Sequence, residues 1–331
     1  MSIKIGMVGY GNVGKAFLRL IEKDRKDIEV IYIIRSNGLL VNENGLDLKS
    51  ILVMEEHLYN HPDWKSQKGF LDVVEQPIDY LVELTPTDME NGEPAFTYIT
   101  EAMKRGIHVV TGNKGPVLKH YRELKLLADR NRVKLGISCT AGGALPSLEV
   151  GRFGLAGSKI QSITGILNGT TNYILTLMAK EEISYEEALQ RAQDEGIAEK
   201  DPQMDVNGYD TAIKMLIITN ELLSCELWIS DVNITGISGI TLEEIKKAKK
   251  QNKKIKLIGK TEMKNQRVFL TVQPVLLTKD SPLFDIDGKE KGICYETDHL
   301  GNIVVSGGAS DPSYAAGAIL RDIANIERSL R

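Results

Sequence analysis

Cysteine is scarce in this chain: Cys139, Cys225 and Cys294 are the only three in 331 residues, an odd set without metal-ligand spacing. That excludes a disulfide framework and a thiolate zinc site, and it fits a reducing, cytoplasmic setting. Long apolar runs are also lacking. The longest uncharged run, 160–179, carries a glutamine, two asparagines, five Ser/Thr and two glycines, groups too costly in hydrocarbon for a spanning helix. No excess of either charge stands out: 41 Lys+Arg against 45 Asp+Glu leave −4, which gives no electrostatic pull toward nucleic acid or an anionic membrane. The opening MSIKIGMVGYG shows strand alternation rather than a basic region followed by an apolar block, so no signal peptide is expected. Internal repeats and low-complexity segments are absent as well. What remains, at 42 % hydrophobic and 26 % charged, is an ordinary globular composition on a chain long enough for two domains.

The first third reads as a nucleotide site. Ile3, Ile5, Met7 and Val8 form a short buried strand, followed at once by Gly9-Tyr10-Gly11-Asn12-Val13-Gly14 and by KAFLRLIEK at helical period. A glycine motif is credible in this context, with a strand before it and a helix after. Gly9 permits the tight turn, Gly11 lets backbone approach a pyrophosphate, and Gly14 allows close strand–helix packing. The helix start then offers N–H groups and partial positive charge to the phosphates. A second strand, 30–34, ends in Arg35-Ser36-Asn37 where an acidic residue would bond the ribose 2′-hydroxyl of NAD. Arg35 and Ser36 suit a 2′-phosphate instead, which favours NADP; if Arg35 only stacks on adenine, NAD stays usable. Strand 80–84 gives way to Thr85-Pro86, a turn able to line the nicotinamide end. Helix AFTYITEAMKRG and strand 107–110 then lead to the loop 111–116 with Lys114. Ligands gather at the carboxyl ends of such strands, so Lys114 is either a solvated loop lysine or a contact to coenzyme or substrate.

After helix 121–131 and strand 134–137, the glycine-rich SCTAGGALP marks a domain boundary. Strand 161–167 runs into Asn168-Gly169-Thr170-Thr171-Asn172 and a helix. Small polar residues at that junction cap the helix and also suit a carboxylate. The segment AEKDPQMDVNGYDTAIKM, 198–215, gathers Glu199, Asp205, Asp210 and Lys214 ahead of an apolar helix expected over 209–222. Asp210 and Lys214 are four apart and share a face that continues with Ile217, which sets Lys214 against apolar surface. The bland reading is a surface ion pair worth about 0.3–0.5 kcal/mol. The sharper one is a desolvated lysine that exchanges a proton, aimed by its aspartate, with Glu199 and Asp205 receiving a substrate ammonium. Farther on, a capped lysine-rich helix, 241–252, reads as a solvated face. Strands near 255–259, 268–275 and 303–305 suggest a largely antiparallel sheet with helices on one face.

Taken together, GYGNVG, LVELTPT, HVVTGNKGPV, ILNGTTNYIL, GIAEKDPQMDVNGYDTAIK and SGGASDPSYAAGAILRDI make the chain resemble the homoserine dehydrogenases over nearly its whole length. The fifth block, E-x-D-P-x3-D-x-N-G-x-D-x3-K, is the most specific. The resemblance implies an α/β fold: a Rossmann-type doubly wound parallel sheet in residues 1–137, completed by 306–331. Residues 138–305 would form an α+β catalytic and dimerisation domain with a largely antiparallel sheet. It implies NAD(P)-dependent interconversion of L-homoserine and L-aspartate 4-semialdehyde within threonine and methionine biosynthesis, in a cytoplasmic homodimer. Lys214 would exchange the hydroxyl proton, oriented by Asp210 and assisted by Lys114. Glu199, Asp205, Gly169 and Thr170 would hold the substrate. Gly9, Gly11, Asn12, Val13, Gly14, Arg35, Ser36, Thr85, Pro86 and Gly307 would meet the coenzyme, Gly307 from a loop at the nicotinamide.

Departures from the family pattern are informative. Gly112 precedes Asn113-Lys114 where alanine is common, and Ile197 stands where an aromatic is frequent. Ser138-Cys139 replaces a Glu-Ala pair whose glutamate belongs to a monovalent-cation site. No metal is therefore expected, although the backbone of Ala141 and Gly143 could still contribute. A chain ending at Arg331 leaves no room for the C-terminal regulatory domain of some members, so threonine feedback through one is not expected. Two competing readings stand beside this one. One is an aspartate-semialdehyde-type dehydrogenase with Cys139 as nucleophile, although none of the five histidines has an evident link to it. The other is a nucleotide-sensing protein without chemistry.

Overall fold

The computed structural model describes residues 2–66, 68–265, 267–308 and 311–330, and the chain divides into two compact units, 1–140 with 311–331, and 141–310. In the first, β1 (Ile3–Val8), α1 (Asn12–Asp24) and β2 (Ile28–Arg35) are followed by two short strands, β3 (Gly38–Val41) and β4 (Trp64–Ser66). Then come β5 (Tyr80–Glu83), α2 (Ala95–Lys104), β6 (His108–Thr111), α3 (Lys114–Arg130) and β7 (Leu135–Gly136). The sheet order is β4-β3-β2-β1-β5-β6-β7, parallel from β2 to β7, with β3 and β4 added antiparallel. Strand order reverses at β1, and that places the glycine turn at the sheet's switch point. Both faces are covered, which is why these strands read as continuous apolar runs. Phe17, Leu18 and Ile21 of α1 pack with Ile319 and Ile323 of the helix Pro312–Leu330 on one face, and Ile99, Met103 and Leu124 pack on the other.

The second unit contains β8 (Ile160–Ile166), α4 (Gly169–Glu181), α5 (Tyr185–Asp194), α6 (Tyr209–Leu223), β9 (Val232–Ile234) and α7 (Leu242–Lys250). It closes with β10 (Lys254–Lys264), β11 (Arg267–Leu277), β12 (Lys291–Thr297) and β13 (Asn302–Gly307). Its sheet runs β13-β12-β8-β10-β11-β9, antiparallel except where β9 joins β11. The Thr219 and Thr261 hydroxyls, 2.6 Å apart, seat α6 on β10.

Several elements differ from the sequence expectation. The junctions at 140/141 and 310/311 lie a few residues beyond the expected 137/138 and 305/306. Residues 138–140 stay with the first unit because the Ser138 amide donates to Asp322 and the Thr140 amide to the Ile137 carbonyl. Ser306 and Gly307 stay with the second because they remain paired to Gly292 and Lys291. Strands β3, β4, β9 and β12 were not expected; β12 is buried at nearly every residue and so lacks alternation. Helix α3 starts at Lys114 rather than near 121, since Asn113 caps the Gly115 amide and Pro116 is tolerated in a first turn. SCTAGGALP begins as a short helix, 138–142, before its turn.

Candidate active site

At the carboxyl ends of β1, β2 and β5 the first unit holds a cavity of about 820 Å³, lined by the 9–14 turn, Arg35, Ser36 and the 84–88 loop. Gly9 sits at φ +100°, and a Cβ there would stand 2.3 Å from the Leu84 carbonyl oxygen. A Cβ on Gly14 would stand 2.7 Å from the Gly9 carbonyl oxygen, whereas one on Gly11 would project into open space. So Gly9 and Gly14 are demanded by packing and Gly11 leaves the cradle accessible. Gly11 is also the N-cap of α1, with no side-chain cap and no acid in the first turn, so the Asn12, Val13 and Gly14 end is set for an anion. The Tyr10 ring carries the Arg35 guanidinium at 5.7 Å and the Lys15 ammonium at 5.8 Å, which adds positive charge on that side.

The far wall hangs on a buried carboxylate. Glu83, fully buried at the end of β5, accepts from the Thr85 amide (2.8 Å), the Thr85 hydroxyl (2.5 Å) and the Thr111 hydroxyl (2.7 Å). Burial pushes its acidity toward higher pKa, opposed by the hydrogen bonds from Thr85 and Thr111. Asn113 then donates to the Thr85 and Pro86 carbonyls. Loop Thr85-Pro86 and the start of α3, where Lys114 stands half-buried, are thereby one hydrogen-bonded assembly.

In the second unit Asp205, Asp210 and Lys214 of the 198–215 segment converge on the start of α4. Asn168 caps that helix by accepting from the Thr171 amide, and its Nδ2 donates to Asp205 Oδ1 (2.6 Å) and Asp210 Oδ2 (2.9 Å). The same Asp210 oxygen accepts from Lys214 Nζ at 2.5 Å, and Nζ donates also to the Leu167 carbonyl at 2.9 Å. The side chains of Lys214 and Asp210 are 12 % and 10 % exposed, which removes the surface ion-pair reading. Gly208, at φ +85°, starts α6 and aims its first turn into this cluster. Gly169 and Thr170 form the first turn of α4; Thr170 bonds the Ile197 carbonyl, and a Cβ on Gly169 would meet the Lys289 carbonyl at 2.9 Å.

Model matches span both units: residues 9–137 match the NAD binding domain of homoserine dehydrogenase, and 146–324 match homoserine dehydrogenase itself. The chain belongs to the homoserine dehydrogenase family. It is 39 % identical to the homoserine dehydrogenase of Methanocaldococcus jannaschii over 98 % of each chain. To the NAD(+)-dependent homoserine dehydrogenase of Pseudomonas canavaninivorans it is 34 % identical, over 98 % of this chain and 96 % of that one. The solved homoserine dehydrogenase of Thermoplasma acidophilum superposes with a TM-score of 0.84 at 27 % identity, covering 99 % of this chain and 100 % of that one.

Lys214, Asp210 and Asp205 stand together, with Gly169 and Thr170 in the first turn of the capped helix beside them. Glu199 is exposed, its carbonyl accepting from Gln193. Gly9, Gly11, Asn12, Val13, Gly14, Arg35, Ser36, Thr85 and Pro86 line one cavity. Gly307, at φ +121°, ends β13 in the second unit; Ala309 and Ser310 of the loop expected at the nicotinamide lie outside the described residues. Homoserine dehydrogenase membership carries the oxidoreductase reading ahead of the Cys139 alternative; Cys139 is half-buried beside Gly112. Three residues outside the expected site set matter here. Asn168 joins both aspartates, Glu83 holds the pocket wall, and Lys291 lies buried near Gly143. A carboxylate inside the apolar strand LVEL was the available signal for Glu83.

Proposed function

We propose that this chain oxidises L-homoserine to L-aspartate 4-semialdehyde, and runs the reverse reduction, with Lys214 as the proton-exchanging group. The observation that carries this is the ammonium's placement. Two of its N–H bonds are committed to the Leu167 carbonyl and Asp210, which leaves one position of the nitrogen for a substrate oxygen. When the alcohol is oxidised, the hydroxyl proton passes to Lys214 Nζ as the carbon gives up hydride; reduction returns that proton to the new alkoxide. The bound nicotinamide coenzyme supplies the hydride acceptor. Asp210 orients Lys214, and Lys114 assists. Asp205 and Glu199 receive the substrate ammonium, and the first amides of α4, at Gly169 and Thr170, receive its carboxylate.

Arg35 and Ser36, with no carboxylate at the end of β2, support NADP as the favoured coenzyme with NAD usable, and Gly307 is assigned to the nicotinamide loop. Homodimer formation through the second unit's sheet is supported by Phe269 and Val304, 50 % and 41 % exposed on strands β11 and β13. A cytoplasmic place in threonine and methionine biosynthesis follows from the same substrate assignment; among the described residues no helix is long and apolar enough to cross a membrane. Steady-state rates with NAD and NADP, each with homoserine and with aspartate semialdehyde, test the reading. Coenzyme reduction by homoserine is expected, and none with either coenzyme refutes it. Cys139→Ser should leave the rate nearly unchanged; collapse would restore the reading with Cys139 as nucleophile.

A further inference from the structure

The second unit buries a lysine that this chemistry does not use. Lys291 opens β12 and is 4 % exposed, a depth at which an ammonium is costly unless polar groups meet its charge. Its Nζ lies against the glycine-rich turn: a Cβ built on Gly143 would stand 3.8 Å from it. Gly143 itself adopts φ +60°, and the flanking Ala141 and Leu145 are buried. The backbone of Lys291 pairs with Gly307 across the β12–β13 hairpin. The next residue, Gly308, packs back on the turn so closely that a Cβ there would stand 2.8 Å from the Leu145 nitrogen. Side chain and main chain of one lysine therefore link the 141–145 turn to the end of β13.

The backbone of Ala141 and Gly143 is where the family pattern implies a monovalent cation, completed by a glutamate that this chain lacks at 138–139. The residues present do not fit that ion. A covalently supplied positive charge already stands beside Gly143, and a second cation within a few ångströms would be repelled in a site shielded from water. An ammonium also brings three N–H donors that carbonyl oxygens can accept, so it needs no carboxylate from the turn.

We propose that the Lys291 ammonium takes the place of the monovalent cation, fastening the 141–145 turn to the Gly307 end of β13, so that the fold and activity of this chain are independent of K⁺ and Na⁺. The proposal rests on the family membership and not on the role given to Lys214. Its test is the thermal midpoint, read without substrate, and the turnover of the full chain in KCl, NaCl and tetramethylammonium chloride at equal ionic strength. The wild type should show the same midpoint within about 1 °C and the same turnover within about twofold. Lys291→Ala removes the charge and opens space; its midpoint should fall in tetramethylammonium and recover by about 2–4 °C in K⁺ or Na⁺. A wild type that weakens in tetramethylammonium and recovers with either ion overturns the proposal, as does a Lys291→Ala protein indifferent to the cation. Should that variant fail to fold, Lys291→Met and the wild-type comparison decide. Absence of turnover in every salt would count against the proposed reaction alone, since the midpoint is read without it.

Discussion

Lys214→Ala separates a proton-exchanging lysine from a structural one. The substitution removes the donor to the Leu167 carbonyl and to Asp210 while leaving the Asn168 bond to Asp210 in place. Losing a general acid/base lowers turnover by about 10²–10⁴-fold, a barrier increase of about 3–5 kcal/mol. The structural loss is separate: removing one partner of a buried pair costs about 3–5 kcal/mol, and the retained Asn168 bond places this variant at the lower end. Turnover measured by coenzyme absorbance, beside a urea unfolding curve, resolves the two. Coenzyme affinity should hold, because the cavity in the first unit contains no part of this cluster. A small primary amine added to Lys214→Ala should restore part of the rate, which a merely structural lysine would not allow. A folded variant turning over within about threefold of wild type would sink the assignment.

Asp210→Asn keeps an oxygen for Lys214 and Asn168 but removes the charge, so turnover should fall less than for Lys214→Ala, about ten- to a hundredfold in kcat. Gly9→Ala forces a side chain onto the Leu84 carbonyl at a positive φ; coenzyme affinity should collapse by isothermal titration, and stability should drop about 1–3 kcal/mol. Arg35→Ala should raise KM for NADP far more than for NAD; equal effects would mean that the guanidinium only stacks. Burial pushes Asp287 up, but the Lys254 and Lys256 ammoniums, at 2.6 and 2.7 Å, outweigh it and hold its carboxyl below the usual value. Its stabilisation is thus present above the unfolded pKa near ~3.9 and lost as pH falls through the lower folded value. Urea midpoints should drop over that window in wild type and less steeply in Asp287→Asn.

The central framework of the first unit, β1, α1, β2, β5, α2 and β6, was legible in the sequence because its signals are local. A tight turn between a strand and a helix needs glycine at fixed offsets, and Gly9, Gly11 and Gly14 lie at those offsets. β3 and β4 were not legible: a four-residue strand and the three-residue edge strand beside it carry too few alternations to register. In the second unit, the spacing of Asp210 and Lys214 placed them on one face, but spacing alone is silent on depth. Depth came from α4 and α6 meeting at Asn168, a contact between residues 42 apart in the chain.

The sequence by itself therefore determined the glycine turn and the helix carrying Asp210 and Lys214, each a matter of neighbours within a turn or two. Only the tertiary structure decided which polar residues lose their water. Lys214 against the Leu167 carbonyl, Glu83 among threonine hydroxyls and Lys291 beside Gly143 are each buried by elements distant in the chain. Desolvation, which sets what a charge can do, is a property of that packing rather than of local order.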